Sequence, residues 1–367
     1  METHPLLVGL SHHTAPLALR ERLAIPPRDL PAALASLRAC SGVTEAVILS
    51  TCNRVELYVV SDDPVPSVQG LVDFLSHTSR LAPSAFQASL YRMTGAEAIR
   101  HLFRVTAGLE SMVLGESEIT AQVKQAYELA HTAGATGPWL NRLFQKALHS
   151  TKLLRSRTRI AEGQASIGSV VVTLARQMVQ DRLQQSEVLL WGAGKAAETT
   201  ARHLIKSGIR QLWVVSRTPA KAQDLASLCQ SGWLSWEQAL SHLVHVDIAI
   251  VCTQAPHYVV DRADLETVLA PRRAARWPHP LLLIDLAVPR NVDPTIRHQP
   301  GVLLYNIDDL QSIAQGAVER REQEVATCAA IVQEQVAHLW RGWNRMPRAD
   351  KDKEGTPCRP IDALSSV

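Results

Sequence analysis

No apolar run in the chain approaches the roughly 20 residues that a bilayer crossing requires, so no membrane span is expected. The first ten residues lack a basic stretch followed by an apolar one, so no secretory signal is expected either. The six cysteines show no C-x-x-C spacing and no zinc-finger pattern with histidine. They predict neither a disulfide framework nor a metal site. Excess charge of one sign is also missing. Lys plus Arg is 38 and Asp plus Glu is 35, a formal +3, which excludes a general nucleic-acid coat and leaves room only for a local basic patch. No internal repeat is found. These absences predict a reduced protein of the cytoplasm.

What is present is enough for more than one core. A chain of 367 residues is too long for one ordinary domain, and 46% hydrophobic with 20% charged residues excludes wholesale disorder. Residues 1–160 mix strands at Leu6–Leu10, Ala46–Leu49 and Val55–Val60 with helical patterns at Ala96–Thr106, Ile119–Thr132 and Trp139–Arg155, an α+β unit. Residues 161–311 alternate strand and helix instead. Strands are read at Val188–Trp191, Leu212–Val215, Asp247–Val251, Leu281–Asp285 and Val302–Tyr305. Near-continuous apolar strands of this kind predict a parallel sheet covered on both faces. The predicted fold class is therefore multidomain α/β, with a Rossmann-type second domain. A long helix is expected over 312–345, with a heptad-like seam of Val325, Ala329, Val332, Val336, Leu339 and Trp343. Its spacing leaves open whether it packs on its own chain or on another. Residues 346–367, rich in proline and charge, read as a disordered tail.

Two local patterns carry chemistry. Gly192-Ala193-Gly194-Lys195-Ala196-Ala197 follows an apolar strand and opens a helix. The first Gly turns the chain, the second admits a pyrophosphate, and the small third residue lets helix and strand pack closely. The next strand ends in Ser216-Arg217-Thr218 rather than Asp or Glu, which favours the 2′-phosphate of NADPH over NADH. The second pattern is Cys52, on the polar turn Ser50-Thr51-Cys52-Asn53-Arg54 between two apolar strands. Polar surroundings and an adjacent guanidinium predict a thiolate, the nucleophilic form. A thiolate and a nicotinamide together suggest acyl transfer to sulfur followed by reduction of the thioester.

These motifs, with Val8–Pro16, Leu49–Glu56, Gly108–Glu116, Ile284–Arg290 and Tyr305–Leu310, resemble the glutamyl-tRNA reductase family from about Leu6 to Leu310. The resemblance implies reduction of glutamyl-tRNA by NADPH to glutamate-1-semialdehyde, the first step of the five-carbon route to 5-aminolevulinate and tetrapyrroles. It implies Cys52 as nucleophile and His101 as a catalytic histidine, for proton transfer or for polarising the ester. It implies Thr51, Asn53, Arg54, Ser111, Glu116, Ser117, Glu118 and Gln122 around the substrate, with Arg54 as a clamp for the glutamate carboxylate. It also implies transfer of the product to glutamate-1-semialdehyde aminomutase.

The sequence departs from the family at three places. Glu118 stands where the family has an amide and would repel an anionic substrate group if it pointed inward. Ala197 stands where Gly is common. The resemblance implies a helical dimerisation domain after the long helix, and the polar stretch from Met346 is not expected to form most of it, so the chain is expected to be a monomer or to pair weakly through the Val325–Trp343 seam. Lys146, Lys152, Arg155, Arg157 and Arg159 are the candidates for tRNA phosphates. Two other readings stay open: a paralogue that reduces another acyl group, and a non-catalytic protein of the same fold.

Overall fold

The computed structural model describes residues 4–158, 160, 167–277, 279–310 and 322–343. The N-terminal unit contains β1 (His4–Ser11), α1 (Leu17–Leu23), α2 (Leu30–Arg38), β2 (Val43–Ser50), β3 (Arg54–Ser61) and α3 (Pro64–Ser79). It continues with β4 (Tyr91–Thr94), α4 (Gly95–Thr106), α5 (Glu118–Thr132) and α6 (Pro138–Arg157). The sheet is antiparallel, in the order β2-β3-β1-β4. The three expected strands and three expected helices are all present. The sequence reading missed α1, α2, α3 and β4. Both α1 and α2 are too short for a sustained periodicity, and Pro64 and Pro66 at the start of α3 mask a helix that tolerates them in its first turn.

Two acidic side chains inside this unit have structural explanations. Glu45 on β2 is buried and accepts from the backbone N–H groups of Trp139 (3.1 Å) and Leu140 (2.6 Å). It thus satisfies orphan donors at the start of α6, a cap supplied from another element. Glu56 on β3 faces Gly9 of β1, where a Cβ would come within 2.8 Å of the Glu56 Cγ. The missing side chain on β1 makes the space that Glu56 fills.

The second unit contains α7 (Ile167–Val179), β5 (Glu187–Trp191), α8 (Lys195–Lys206), β6 (Gln211–Val215), α9 (Pro219–Cys229), β7 (Gly232–Leu234) and α10 (Trp236–His242). β8 (Ile248–Val251), α11 (Arg262–Ala274), β9 (Leu281–Asp285) and β10 (Val302–Asn306) follow. All six strands are parallel, in the order β10-β9-β8-β5-β6-β7. The chain order therefore reverses between β5 and β8. That crevice, at the carboxyl ends of the strands, is where a doubly wound sheet binds its ligand. The expected parallel sheet is present, with β7 as one edge strand that the apolar pattern was too short to reveal.

The two units meet around α1. Leu17, Met112 and Ile307 are buried together, with Cys52, Ile167 and Val288 packed against them. Beside this patch Arg290 Nε donates to Glu21 at 2.9 Å.

The last described helix, α12 (Glu322–Trp343), decides the seam question. Val332, Val336, Leu339 and Trp343 are buried in the core of the N-terminal unit, and Trp343 packs on Trp139 with ring centroids 4.7 Å apart and the planes tilted by 43°. The helix lies against α4 and α6 of its own chain. The buried part of the seam is therefore covered by its own chain. The reading of 346–367 as a tail lies outside the described residues.

Replacing Trp343 by Ala should destabilise the protein by about 3 kcal/mol through the cavity it leaves. A denaturant titration checks this; a change within error would mean that α12 does not support the N-terminal core.

Candidate active site

β2 ends at Ser50 and β3 begins at Arg54, so Thr51, Cys52 and Asn53 form the connecting turn. Thr51 shapes it: its Oγ1 accepts from the backbone N–H groups of Asn53 and Arg54, each at 3.2 Å, and its own N–H donates to Arg54 O at 2.9 Å. Asn53 turns its Oδ1 to Arg20 Nη1 at 3.3 Å.

Cys52 does not have the environment its neighbours in sequence suggested. Burial, then the charges of Glu116 and Glu118, push the thiol up to about 12, with Arg20 opposing them. The adjacent guanidinium is not the one that acts on the sulfur. Arg54 lies on β3, 1% exposed, with Nη1 donating to Glu56 Oε1 at 2.7 Å and Nη2 donating to Glu110 O. This corrects the expectation that Arg54 acts on the Cys52 sulfur: its charge is paired with the buried Glu56 carboxylate. Losing one partner of such a pair typically costs about 3–5 kcal/mol.

Glu56 is the centre of this cluster and was missed in the sequence. Its Oε1 accepts from Arg54 Nη1, from Tyr91 Oη at 2.5 Å and from His101 Nε2 at 2.8 Å; its Oε2 accepts from Tyr58 Oη at 2.6 Å. Burial opposes its charge, but Arg54 and these donors win and hold the carboxyl well below the usual range. A carboxylate only accepts, so the His101 Nε2 carries the proton it shares with Glu56. Nδ1 is then the nitrogen left to act on other groups when the ring is neutral. Tyr91 flanks the ring, 5.1 Å between centroids. The available signal was Arg54, Glu56 and Tyr58 at alternate positions of one strand, three polar groups on one face.

The loop before α5 supplies the acidic wall. Glu116 is pushed up to about 7 by burial and by Glu118, against a hydrogen bond from the Ser111 side chain. Glu118, the first residue of α5, is raised by burial and steadied by Lys195 of the second unit. Its charge acts on both Cys52 and Cys252. Ser117 is exposed at the helix start, and Gln122 is half-buried one turn along α5. His12 was also missed. Its backbone N–H donates to Asn53 O at 2.8 Å, and both ring nitrogens are buried with no partner among the described residues. Burial, then the charges of His13, Arg54 and Arg20, lower it to about 3, so the ring is neutral.

The second unit supplies the glycine turn. Gly192 has φ +127°, and a Cβ there would meet Cys252 O at 2.5 Å. A Cβ on Gly194 would meet nothing within 4 Å. Gly194 immediately precedes α8, whose first N–H groups are free for a phosphate, and Ala197 is fully buried under the sheet edge. Ala193 and Ala196 are half-buried, while Lys195 is exposed and pairs with Glu198 at 3.2 Å. Ser216, Arg217 and Thr218 follow β6, with Arg217 exposed and no carboxylate paired to it among the described residues. This donor set fits a dinucleotide. Among the described residues no group of three or more His, Cys, Asp or Glu could hold a metal ion, and no helix is long and apolar enough to cross a membrane.

Of the basic residues considered for tRNA, Lys152 and Arg157 are exposed and Lys146 is half-buried. Arg155 is a correction: its Nη2 donates to Glu116 O (3.0 Å) and Thr120 Oγ1 (2.9 Å), which ties it inside. Arg159 lies outside the described residues.

A dinucleotide-type sheet facing a unit that carries a cysteine and a carboxylate-held histidine defines an oxidoreductase of two cooperating domains. Comparison with known proteins makes this specific. Residues 8–158 match the family model of the glutamyl-tRNAGlu reductase N-terminal domain, and residues 173–313 match that of shikimate/quinate 5-dehydrogenase. The chain is 40% identical over 334 residues to glutamyl-tRNA reductase of Solibacter usitatus, covering 91% of this chain and 78% of that one. It is 39% identical to that of Moorella thermoacetica, covering 88% and 73%. The solved glutamyl-tRNA reductase of Methanopyrus kandleri aligns with TM-score 0.51 and 31% identity over 92% of this chain and 80% of that one. The chain belongs to the glutamyl-tRNA reductase family.

Two tests follow from this geometry. Alkylation of Cys52, followed by mass spectrometry, should be slow near neutrality and rise about tenfold per pH unit through pH 9, because the thiol titrates far above that range. A plateau below pH 8 would show a thiolate instead. Gly194→Ala should leave the melting curve unchanged, since its backbone is unstrained and its Cβ has space. It should weaken NADPH binding about tenfold or more by filling the phosphate approach; unchanged affinity by fluorescence titration would remove Gly194 from the site.

Proposed function

We propose that this chain reduces glutamyl-tRNA with NADPH, giving glutamate-1-semialdehyde, free tRNA and NADP, the first step of the five-carbon route to 5-aminolevulinate and tetrapyrroles. The observation that supports the reading is the packing of the Cys52 turn against Ile307, Ile167 and Val288 beside the second unit, which carries the Gly192–Ala197 turn, with Glu118 electrostatically coupled to both Cys52 and Lys195. In this reading the Cys52 sulfur attacks the ester carbonyl. A C–S bond forms, the bond from carbonyl carbon to the ribose oxygen breaks, and tRNA leaves. The sulfur must lose a proton and the ribose oxygen must gain one. Glu116, raised to about 7, is suited to take the first, and His101, held by Glu56, to serve the second. Ser111, Ser117, Glu118 and Gln122 would border the amino acid, and Thr51 and Asn53 would hold the turn.

Gly192, Ala193, Gly194, Lys195, Ala196 and Ala197 would hold the pyrophosphate, and Ser216, Arg217 and Thr218 the 2′-phosphate that separates NADPH from NADH. When bound, the nicotinamide supplies the hydride that turns the thioester into the aldehyde and frees the thiol. A free Cys52 is compatible with the reducing cytoplasm, and an amino-aldehyde product favours direct transfer to the aminomutase. Mixing glutamyl-tRNA with the protein should oxidise NADPH, Cys52→Ser should abolish this, and uncharged tRNA should not support it. A folded, NADPH-binding protein that is inactive with glutamyl-tRNA but reduces another thioester would favour the paralogue.

A further inference from the structure

Arg20 lies more than thirty residues before the nucleophile's turn, yet its guanidinium holds that turn. The side chain is 1% exposed. Nε donates to Ala15 O at 3.2 Å, and Nη1 donates to Cys52 O at 2.6 Å and to Asn53 Oδ1 at 3.3 Å. Nη2 donates to the carboxylate of Asp308, which lies just after β10 in the second unit. One cation therefore grips the backbone of the Cys52 turn on one side and the nucleotide-binding unit on the other. Its neighbours on α1 make the same crossing. Glu21 accepts from Arg290 N at 2.6 Å and from Arg290 Nε and Nη2 at 2.9 Å, and Leu17 packs with Ile307.

A buried guanidinium costs several kcal/mol unless an anion compensates it. Three of the Arg20 acceptors are neutral, and Asp308 is the anion bonded to it. The Arg20 charge also opposes the carboxylates of Glu116 and Glu118 at the Cys52 sulfur. The planar fork suits this divided task, since it presents several donors in fixed directions, whereas an ammonium is a point charge.

We infer that Arg20 is a positioning residue for Cys52, and that its grip on the Cys52 carbonyl depends on Asp308 across the seam. The nucleophile's turn is thus set for attack only while the nucleotide-binding unit is docked on it. This rests on Cys52 being the nucleophile.

The test uses the full chain with Arg20→Lys and Asp308→Asn. Two rates are read besides NADPH oxidation: alkylation of Cys52 at fixed pH, and release of tRNA from glutamyl-tRNA with no NADPH present. Both should fall about tenfold or more in Arg20→Lys, and in the same direction by a smaller factor in Asp308→Asn, as expected when a nucleophile is misplaced. Asp308→Asn removes the anion that compensates the buried guanidinium and is expected to lower the melting temperature, so both rates are read at a temperature where circular dichroism shows each variant folded. Parent rates in Asp308→Asn overturn the dependence across the seam, and parent rates in both variants overturn the positioning role. Cys52→Ser separates the two readings. If it still releases tRNA, the nucleophile assignment falls and this inference falls with it. If it is dead while Arg20→Lys is unaffected, only this inference falls.

Discussion

Glu56 places a charged carboxylate where no water reaches it, and much of the N-terminal unit is arranged around satisfying it. The strand beside it gives up a side chain at Gly9 to make room. Arg54 neutralises its charge from two residues away on the same strand, Tyr58 closes the other oxygen, and Tyr91 and His101 arrive from β4 and α4. A buried network of this kind is stable only when every member is paired. The consequence for chemistry is direct. His101 is fixed in one ring orientation, and the Cys52 turn is anchored at its Arg54 end.

Cys52 sits in a conflict of fields. Burial and two carboxylates favour the thiol, and Arg20 favours the thiolate. The resting balance lies with the thiol, which protects the sulfur from oxidation and alkylation in the absence of substrate. Reaction then requires a group that takes the proton as the carbonyl arrives. Glu116 lies in the same field and is raised toward neutrality by the burial that also suppresses the thiolate. Glu118 adds to both effects, and Lys195 of the second unit opposes the rise of Glu118 itself.

The fold was largely legible because its strands are long apolar runs and its main helices have strong periodicity. Elements that were missed are short, as with α1 and β7, or begin with proline, as with α3. The site was legible where a local pattern carries it. Gly192–Ala197 and the end of β6 are contiguous stretches whose geometry follows from the strand–turn–helix arrangement. Cys52 stood out for its polar turn. The residues that act on that turn were not legible, because Glu56, Tyr91, His12 and Arg20 come from four separate elements. Arg54 was misread for the same reason. Adjacency in sequence suggested that it serves Cys52, but Cys52 belongs to the turn, whereas Arg54 opens β3, shares a face with Glu56 two residues on and pairs with it.

By itself the sequence determined the two kinds of architecture and the strand–glycine turn–helix arrangement, and it singled out Cys52 by its polar turn, since each depends on residues close together in the chain. Only the tertiary structure decided the charge state of Cys52, the partner of Arg54, the orientation of His101 and the surface that α12 covers. Those depend on burial and on charges brought together from distant segments, and neither is encoded in any local stretch.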